Sequence, residues 1–157
     1  STIDDIRYFS GTASYTKTFN LPNKFSRPDT ELELDLGAVS VIAEVILNGK
    51  YVGTLWKAPF RINISEAVKK GINNIEIKVT NLWPNRLIGD EHFSEDYKIK
   101  GVRLDSIPDW LLNGEQRSSK RTTFSPWKHW RKTDELKTSG LLGPVSIQLF
   151  KKVKLEN

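Results

Sequence analysis

The sequence predicts an all-β fold, an antiparallel β-sandwich, and three observations carry that expectation. Apolar residues recur with a period of two in most of the segments that carry them. The segments are separated by Asn, Gly and Pro, the residues that turns require. No long amphipathic helix is legible, and no internal repeat of the kind that builds solenoids or propellers.

Taken in order, Ala13, Tyr15, Phe19 and Leu21 alternate with polar residues, as a strand does with one face in a core and one in water. Leu32, Leu34 and Leu36 repeat this against Glu31, Glu33 and Asp35. Val39 to Leu47 is apolar at nearly every position, which predicts a central strand buried on both faces. It runs into Asn48-Gly49 and then Lys50 to Leu55, a hairpin signal, because a type I′ turn needs positive φ at both central residues. Phe60, Ile62 and Ile64 alternate, then Ile75, Ile77 and Val79, and finally Val145, Ile147 and Leu149. Ser65 to Lys70 predicts one helical turn capped by Ser65. Pro22, Pro28 and Gly71 punctuate the remaining ends.

From Asn81 to Ser139 the rhythm breaks, and only Lys98 to Leu104 reads as a further strand. This stretch holds Trp83, Trp110, Trp127 and Trp130, while Trp56 follows the hairpin. A long insert without its own periodicity tends to carry function. The expected organisation is one sandwich domain over 1–157 with a loop insert at about 81–138.

Composition narrows the class. A chain of 157 residues buries roughly two-thirds of its unfolded surface and needs no staple. Hydrophobic residues make up 38% and charged residues 27%, which fits a globular domain. Cysteine is absent, which excludes a disulfide scaffold, a thiolate metal site and a cysteine nucleophile. No apolar run approaches the ~20 residues of a membrane-spanning helix. The chain opens on Ser1 without a signal peptide and has no Met, so it reads as a piece of something longer. The net charge of +5 is spread along the chain, densest over Arg117 to Arg131 and Lys151 to Lys154. It predicts a solvated basic surface rather than a nucleic-acid site.

Several segments are similar to a known family. Gly11-Thr12-Ala13-Ser14-Tyr15-Thr16-Lys17-Thr18-Phe19 followed by Leu-Pro resembles the opening strand of the sugar-binding domain of glycoside hydrolase family 2. So do Leu34-Asp35-Leu36-Gly37, the hairpin Val45-Ile46-Leu47-Asn48-Gly49-Lys50 with Val52-Gly53, the strand Pro59 to Ile64, and Gly71-Ile72-Asn73-Asn74-Ile75. Asn81 to Glu91, paired with Ser139-Gly140-Leu141-Leu142-Gly143-Pro144-Val145, looks most like the corresponding domain of family 106 α-L-rhamnosidase-like proteins. The resemblance implies a galactose-binding-like jelly roll that is not itself catalytic. It implies a separate catalytic domain in the same parent chain, a carbohydrate partner, a secreted or periplasmic location and, in some relatives, a structural calcium.

The residues themselves offer few sites. Asp90, Glu91, Glu95 and Asp96, with His92 among them, form the one dense acidic cluster. Glycoside hydrolysis needs two carboxyls held at a set distance on a rigid frame, and this loop promises none, so a solvated acidic loop is expected and no catalytic residue is assigned. Two histidines without cysteine, and no Gly-x-Ser-x-Gly elbow, argue against a zinc site and a serine triad. No metal ligand is assigned, and no spacing supports a calcium loop.

The binding candidates are Asn81, Trp83, Asn85, Arg86 and Asp90 on one segment, and Trp127 and Trp130 on another. Asn and Arg suit hydroxyl groups, and an indole offers a flat face to the C–H side of a sugar ring. In family 2 an Asn after this strand reaches the active site, and Asn81 matches that position. The structural alternatives stand beside these: Asn81 capping a turn, Arg86 pairing with Asp90, and the Trp side chains packing the insert. An autonomous carbohydrate-binding module is the second reading, and a nucleic-acid-binding β domain the third.

Overall fold

The computed structural model describes residues 2–22 and 29–152. Ser1, Pro28 and Lys154 lie outside the described residues. In chain order the elements are α1 (Asp4–Arg7), β1 (Thr12–Leu21), β2 (Thr30–Asp35), β3 (Ala38–Ser40), β4 (Ile42–Leu47), β5 (Lys50–Leu55), β6 (Arg61–Asn63), β7 (Gly71–Thr80), α2 (Pro84–Asp90), β8 (Ile99–Lys100), β9 (Arg103–Leu104), α3 (Asp109–Leu112), β10 (Gly140–Gly143) and β11 (Ser146–Lys151). Strands dominate and the ladders are antiparallel, as an all-β sandwich requires. The chain divides into two compact units: residues 11–82 with 138–157, and residues 1–10 with 83–137.

The first unit is the sandwich. One sheet has the order β1-β7-β4-β5 and the other β11-β2-β6, with β10-β3 as a small third ladder. The alternating residues fill the space between the sheets: Leu32 and Leu34 from β2, Val45 and Leu47 from β4, Ile75, Ile77 and Val79 from β7 are all buried. Val39 to Leu47 departs from the expected strand buried on both faces. It splits into β3, which pairs with β10, and β4, which pairs with β5 and β7. Along β4 only alternate residues are buried, with Ile42 and Glu44 outside. The apolar run reflects a chain crossing between ladders, not a doubly covered strand.

Ser65 to Lys70 forms a turn rather than a helix. Ala67 and Val68 donate to the Ile64 carbonyl, and the Ser65 hydroxyl accepts from Leu32 N at 2.9 Å instead of capping. At the other end, Val145, Ile147 and Leu149 alternate as expected but stay 45%, 36% and 44% exposed.

The motif residues are cross-links. Asn48 takes φ 54° and Gly49 φ 79°, the conformation the turn requires. The Asn48 side chain donates to the Ala67 carbonyl at 2.9 Å and to Asn73 Oδ1 at 2.8 Å, and accepts from Asn74 N. Asn73 is fully buried. Its amide donates to the Lys69 and Gly71 carbonyls at 2.7 and 2.9 Å, and Lys69 N donates to its oxygen. Gly37, at φ +64°, lies so close to Gly143 that a Cβ would stand 2.4 Å from the Gly143 carbonyl carbon. Asp35 accepts from Gly37 N and from Arg61 Nε, each at 2.8 Å. These donors hold its carboxyl below the usual carboxylate range.

Asn73→Ala strands the Lys69 and Gly71 backbone groups and the Asn48 amide out of water. The expected loss is on the order of 3 kcal/mol, read as a lower urea midpoint at unchanged slope.

Candidate functional site

The insert is a compact unit in its own right and not a structureless loop. It carries α2, α3 and a short β8-β9 hairpin, which replaces the single strand expected over 98–104 and turns at Gly101 with φ +67°. Pro84 opens α2 at its first turn, where a missing N–H costs nothing. One face of α2 then buries Asn85, Ile88, Gly89 and Asp90. Tyr8 packs on Gly89, where a Cβ would meet the Tyr8 ring carbon at 2.6 Å, and its hydroxyl lies 3.2 Å from His92 Nε2.

Asn85 acts as a peptide mimic. Its Nδ2 donates to the Lys137 carbonyl and Lys137 N donates to its Oδ1, both at 2.7 Å, tying α2 to the far end of the insert. Asp90 is 1% exposed. Its Oδ2 accepts from Thr122 N at 3.0 Å, Thr123 N at 2.6 Å and Thr123 Oγ1 at 2.7 Å. Arg86 Nη2 stands 2.9 Å from the other oxygen, one helical turn away. That contact is Coulombic rather than well aligned. Arg86 Nε and Asp90 Oδ1 are buried without a hydrogen-bond partner.

The acidic cluster is not a solvated loop, and this corrects the expectation. Each of its carboxylates meets a cation. Glu91 accepts from Arg121 at 2.9 Å and lies 3.2 Å from Lys128 Nζ, which also pairs with Glu95. Asp96 takes both arms of Arg117, at 2.7 and 2.8 Å, with Ser119 Oγ at 2.9 Å. The basic stretch is corrected in the same way: Arg121 is buried, and its other nitrogens donate to the Ser94 and Phe93 carbonyls at 3.2 Å. A carboxylate and a guanidinium leave water together only when paired and hydrogen-bonded. The Arg117 pair accordingly holds the Asp96 carboxyl below its ordinary range, and Glu95 raises the Lys128 ammonium above its own.

Arg117, Arg121 and Asp96 are absent from the binding candidates, although charge complementarity between segments 90–96 and 117–128 is visible in the sequence. Among the described residues no group of three or more His, Cys, Asp or Glu is placed to hold a metal ion. The acidic side chains of this cluster are turned to Arg and Lys.

The aromatic candidates divide. Trp83, at the start of α2, is 58% exposed. Trp127 is 45% exposed with the Arg103 guanidinium 5.0 Å from its ring. Trp130 is half-buried, with His129 edge-on at 5.1 Å and the Lys137 amine 5.6 Å away. Trp127 and Trp130 line one shallow recess with Leu87, Tyr97, Asp90 and His129. Trp110 is half-buried: its indole donates to the Asp96 carbonyl at 3.0 Å, with the Arg117 guanidinium 4.7 Å from its ring. Asn81 belongs to the sandwich unit, where its Oδ1 accepts from Gly11 N at 2.8 Å and closes the β1–β7 end. The structure thus brings Arg86 and Asp90 together, and Trp127 with Trp130, while Asn81 and Asn85 serve separate backbone contacts.

A family model and one solved structure agree with this fold. Residues 4–107 match the family described as glycosyl hydrolase 2 galactose-binding domain-like. A Formosa agariphila protein provisionally named as a beta-glucuronidase is 62% identical over 147 residues, which is 94% of this chain and 13% of that protein. The solved rhamnosidase from Novosphingobium sp. PP1Y is 36% identical, superposes with a TM-score of 0.72, and is matched over 95% of this chain and 12% of its own. A beta-glucuronidase of an uncultured Clostridium species is 27% identical with a TM-score of 0.48, over 52% of this chain and 14% of that one. The chain spans about an eighth of the length of the first two relatives.

The ionic core gives a pH signature with two limbs. Asp96 has a lowered pKa, so its contribution is present above the unfolded value and is lost as pH falls below about 4. Lys128 has a raised pKa, so its contribution is present below the unfolded value and fades as pH climbs past about 10.5. Near-ultraviolet circular dichroism of the Trp residues should lose intensity at both extremes. Asp96→Asn should cost about 3 kcal/mol at neutral pH and flatten the acid limb.

Proposed function

The chain belongs to the glycosyl hydrolase 2 galactose-binding-like domains, and on that footing we propose that it is a non-catalytic accessory domain supporting a separate catalytic domain of the same polypeptide. One observation carries the reading: nearly the whole chain matches proteins named as glycosidases, yet it accounts for only 13% and 12% of their lengths. The catalytic carboxylates of such a parent would lie in its remaining domains. The clustered acids of the insert are committed to Arg86, Arg117, Arg121 and Lys128. The parent activity that fits is rhamnosidase-like or β-glycosidase-like, on a carbohydrate substrate.

Trp83 is the residue proposed to reach that substrate. Its neighbours Asn85, Arg86 and Asp90 are used internally, whereas most of its indole is open to solvent. An autonomous carbohydrate-binding module is the second reading, favoured by the exposed rings of Trp83 and Trp127. The nucleic-acid reading stays third: Arg117, Arg121 and Lys128 of the basic stretch neutralise internal carboxylates, which leaves fewer cations for phosphates. No helix among the described residues is long and apolar enough to cross a membrane, and action on a glycan outside the cytoplasm fits the proposed parent.

The test is a graft. The matching segment of the Formosa agariphila protein is deleted, or replaced by this chain, and turnover of aryl rhamnosides and aryl glucuronides is followed. On whichever glycoside the unmodified protein cleaves, deletion is expected to cost at least tenfold in kcat/KM and the graft to restore it. Trp83→Ala in the graft is expected to raise KM about threefold without moving Tm. Turnover by this chain alone would sink the accessory reading. Millimolar or tighter retention of a glycan by the isolated chain, lost in Trp83→Ala or Trp127→Ala, would move the assignment to the autonomous module.

A further inference from the structure

The sandwich has an open seam that the accessory reading does not explain. Residues directly opposite in an antiparallel ladder share a face. On β11, Ile147 stands opposite Leu34 and Leu149 opposite Leu32. Both partners are buried, at 1% and 4% exposure, so Ile147 and Leu149 point to the core side of their sheet. On β1, Tyr15 stands opposite Ile77 and Lys17 opposite Ile75, again the core side. Yet Tyr15, Lys17, Ile147 and Leu149 are exposed. β1 and β11 are the edge strands of their sheets. A groove of about 480 Å³ runs between them, walled by Tyr15, Phe19, Leu141, Val145 and Ile147, with Lys17 on its rim. Tyr15 closes one end, its hydroxyl accepting from Leu141 N at 3.3 Å.

Three features say what covers this groove. Its walls are apolar and offer few of the hydroxyl-matching groups that a sugar needs. The apolar strip runs past the groove to Leu149, longer than a small ligand would cover, and is bordered by two strand edges, which are association surfaces. Lys17 sits on the core-facing side, exposed and without a carboxylate partner among the described residues, so a surface that covers the groove and takes Lys17 out of water must bring an anion with it. About seven-eighths of the relatives' polypeptide lies outside the matched segment.

We propose that the β1–β11 seam is the surface on which the rest of the parent polypeptide docks, through an apolar segment that fills the groove and a carboxylate that pairs with Lys17. This rests on the accessory reading and names the contact that reading requires.

The test compares Lys17 in two settings: the isolated chain, and the same chain grafted into the Formosa agariphila protein. Both are acetylated with an amine-reactive ester, and the rate at Lys17 is taken relative to exposed Lys50 by mass spectrometry. Docking is expected to slow Lys17 at least fivefold in the graft and to leave Lys50 unchanged. Ile147→Asp, whose side chain is already part-exposed, should restore Lys17 reactivity in the graft without altering the isolated chain's circular dichroism. Equal rates in both settings overturn the proposal. So does protection already present in the isolated chain, whether it rises with protein concentration as a second copy docks or follows added rhamnose or glucuronate. The graft's turnover is scored separately: full activity with a reactive Lys17 rejects the seam and keeps the accessory role. A protected Lys17 with activity that survives deletion of the segment keeps the docking surface and rejects the accessory role.

Discussion

A carboxylate taken out of water must find hydrogen bonds and a positive charge, or it gives up its ionisation. Asp90 meets that constraint inside the insert, with three donors on one oxygen and Arg86 beside the other. The same demand repeats at Glu91 and Asp96, and the answers to it organise residues 83–137. All of these contacts but the Arg86–Asp90 pair draw segment 117–128 onto segment 85–96, so a stretch with little apolar periodicity still holds together. The construction is specific rather than cheap. A guanidinium and a carboxylate fit in a narrow range of geometries, which gives a short irregular chain one preferred arrangement.

The sandwich meets a different constraint. Its core is apolar and forgiving, and precision comes from a few polar and glycine positions at the turns. Asn48 and Asn73 join the β4–β5 hairpin to β7 through a shared hydrogen bond, and both also hold the loop before β7. Gly37 and Gly143 allow two backbones to approach to a distance no Cβ would permit. These are the residues on which the family resemblance rests, and their roles in this molecule are structural. A motif shared with sugar-binding domains therefore testifies to the fold and leaves the ligand open.

The family's label names a ligand, while several of the residues chemically suited to one are used inside the molecule. Asn85, Arg86 and Asp90 have the chemistry for hydroxyl groups but spend it on Lys137, on each other and on the Thr122–Thr123 backbone. Large apolar and aromatic side chains are nevertheless left exposed: Trp83 on the insert, Tyr15 and Ile147 on the sandwich. Such surfaces are matched by another protein surface as readily as by a glycan. The chain amounts to about an eighth of its relatives' length, and on the proposed accessory reading that matching surface comes from the same polypeptide.

The sequence by itself determined the sandwich, because a two-residue period has one physical meaning and Asn48-Gly49 has essentially one turn to form. It determined the type of domain through the order of its turn residues, and the chemical kinds of side chain available at 81–138. The tertiary structure alone decided what those side chains do. The Arg86–Asp90 pair is one turn long and open to a local reading, but whether Arg121 meets solvent or Glu91, and Asn85 a ligand or Lys137, depends on contacts between residues 30 and 52 positions apart, which no local pattern encodes. It also split the apolar run 39–47 between two ladders and left Ile147 in the open, since periodicity tells which face a residue takes but not whether anything covers that face.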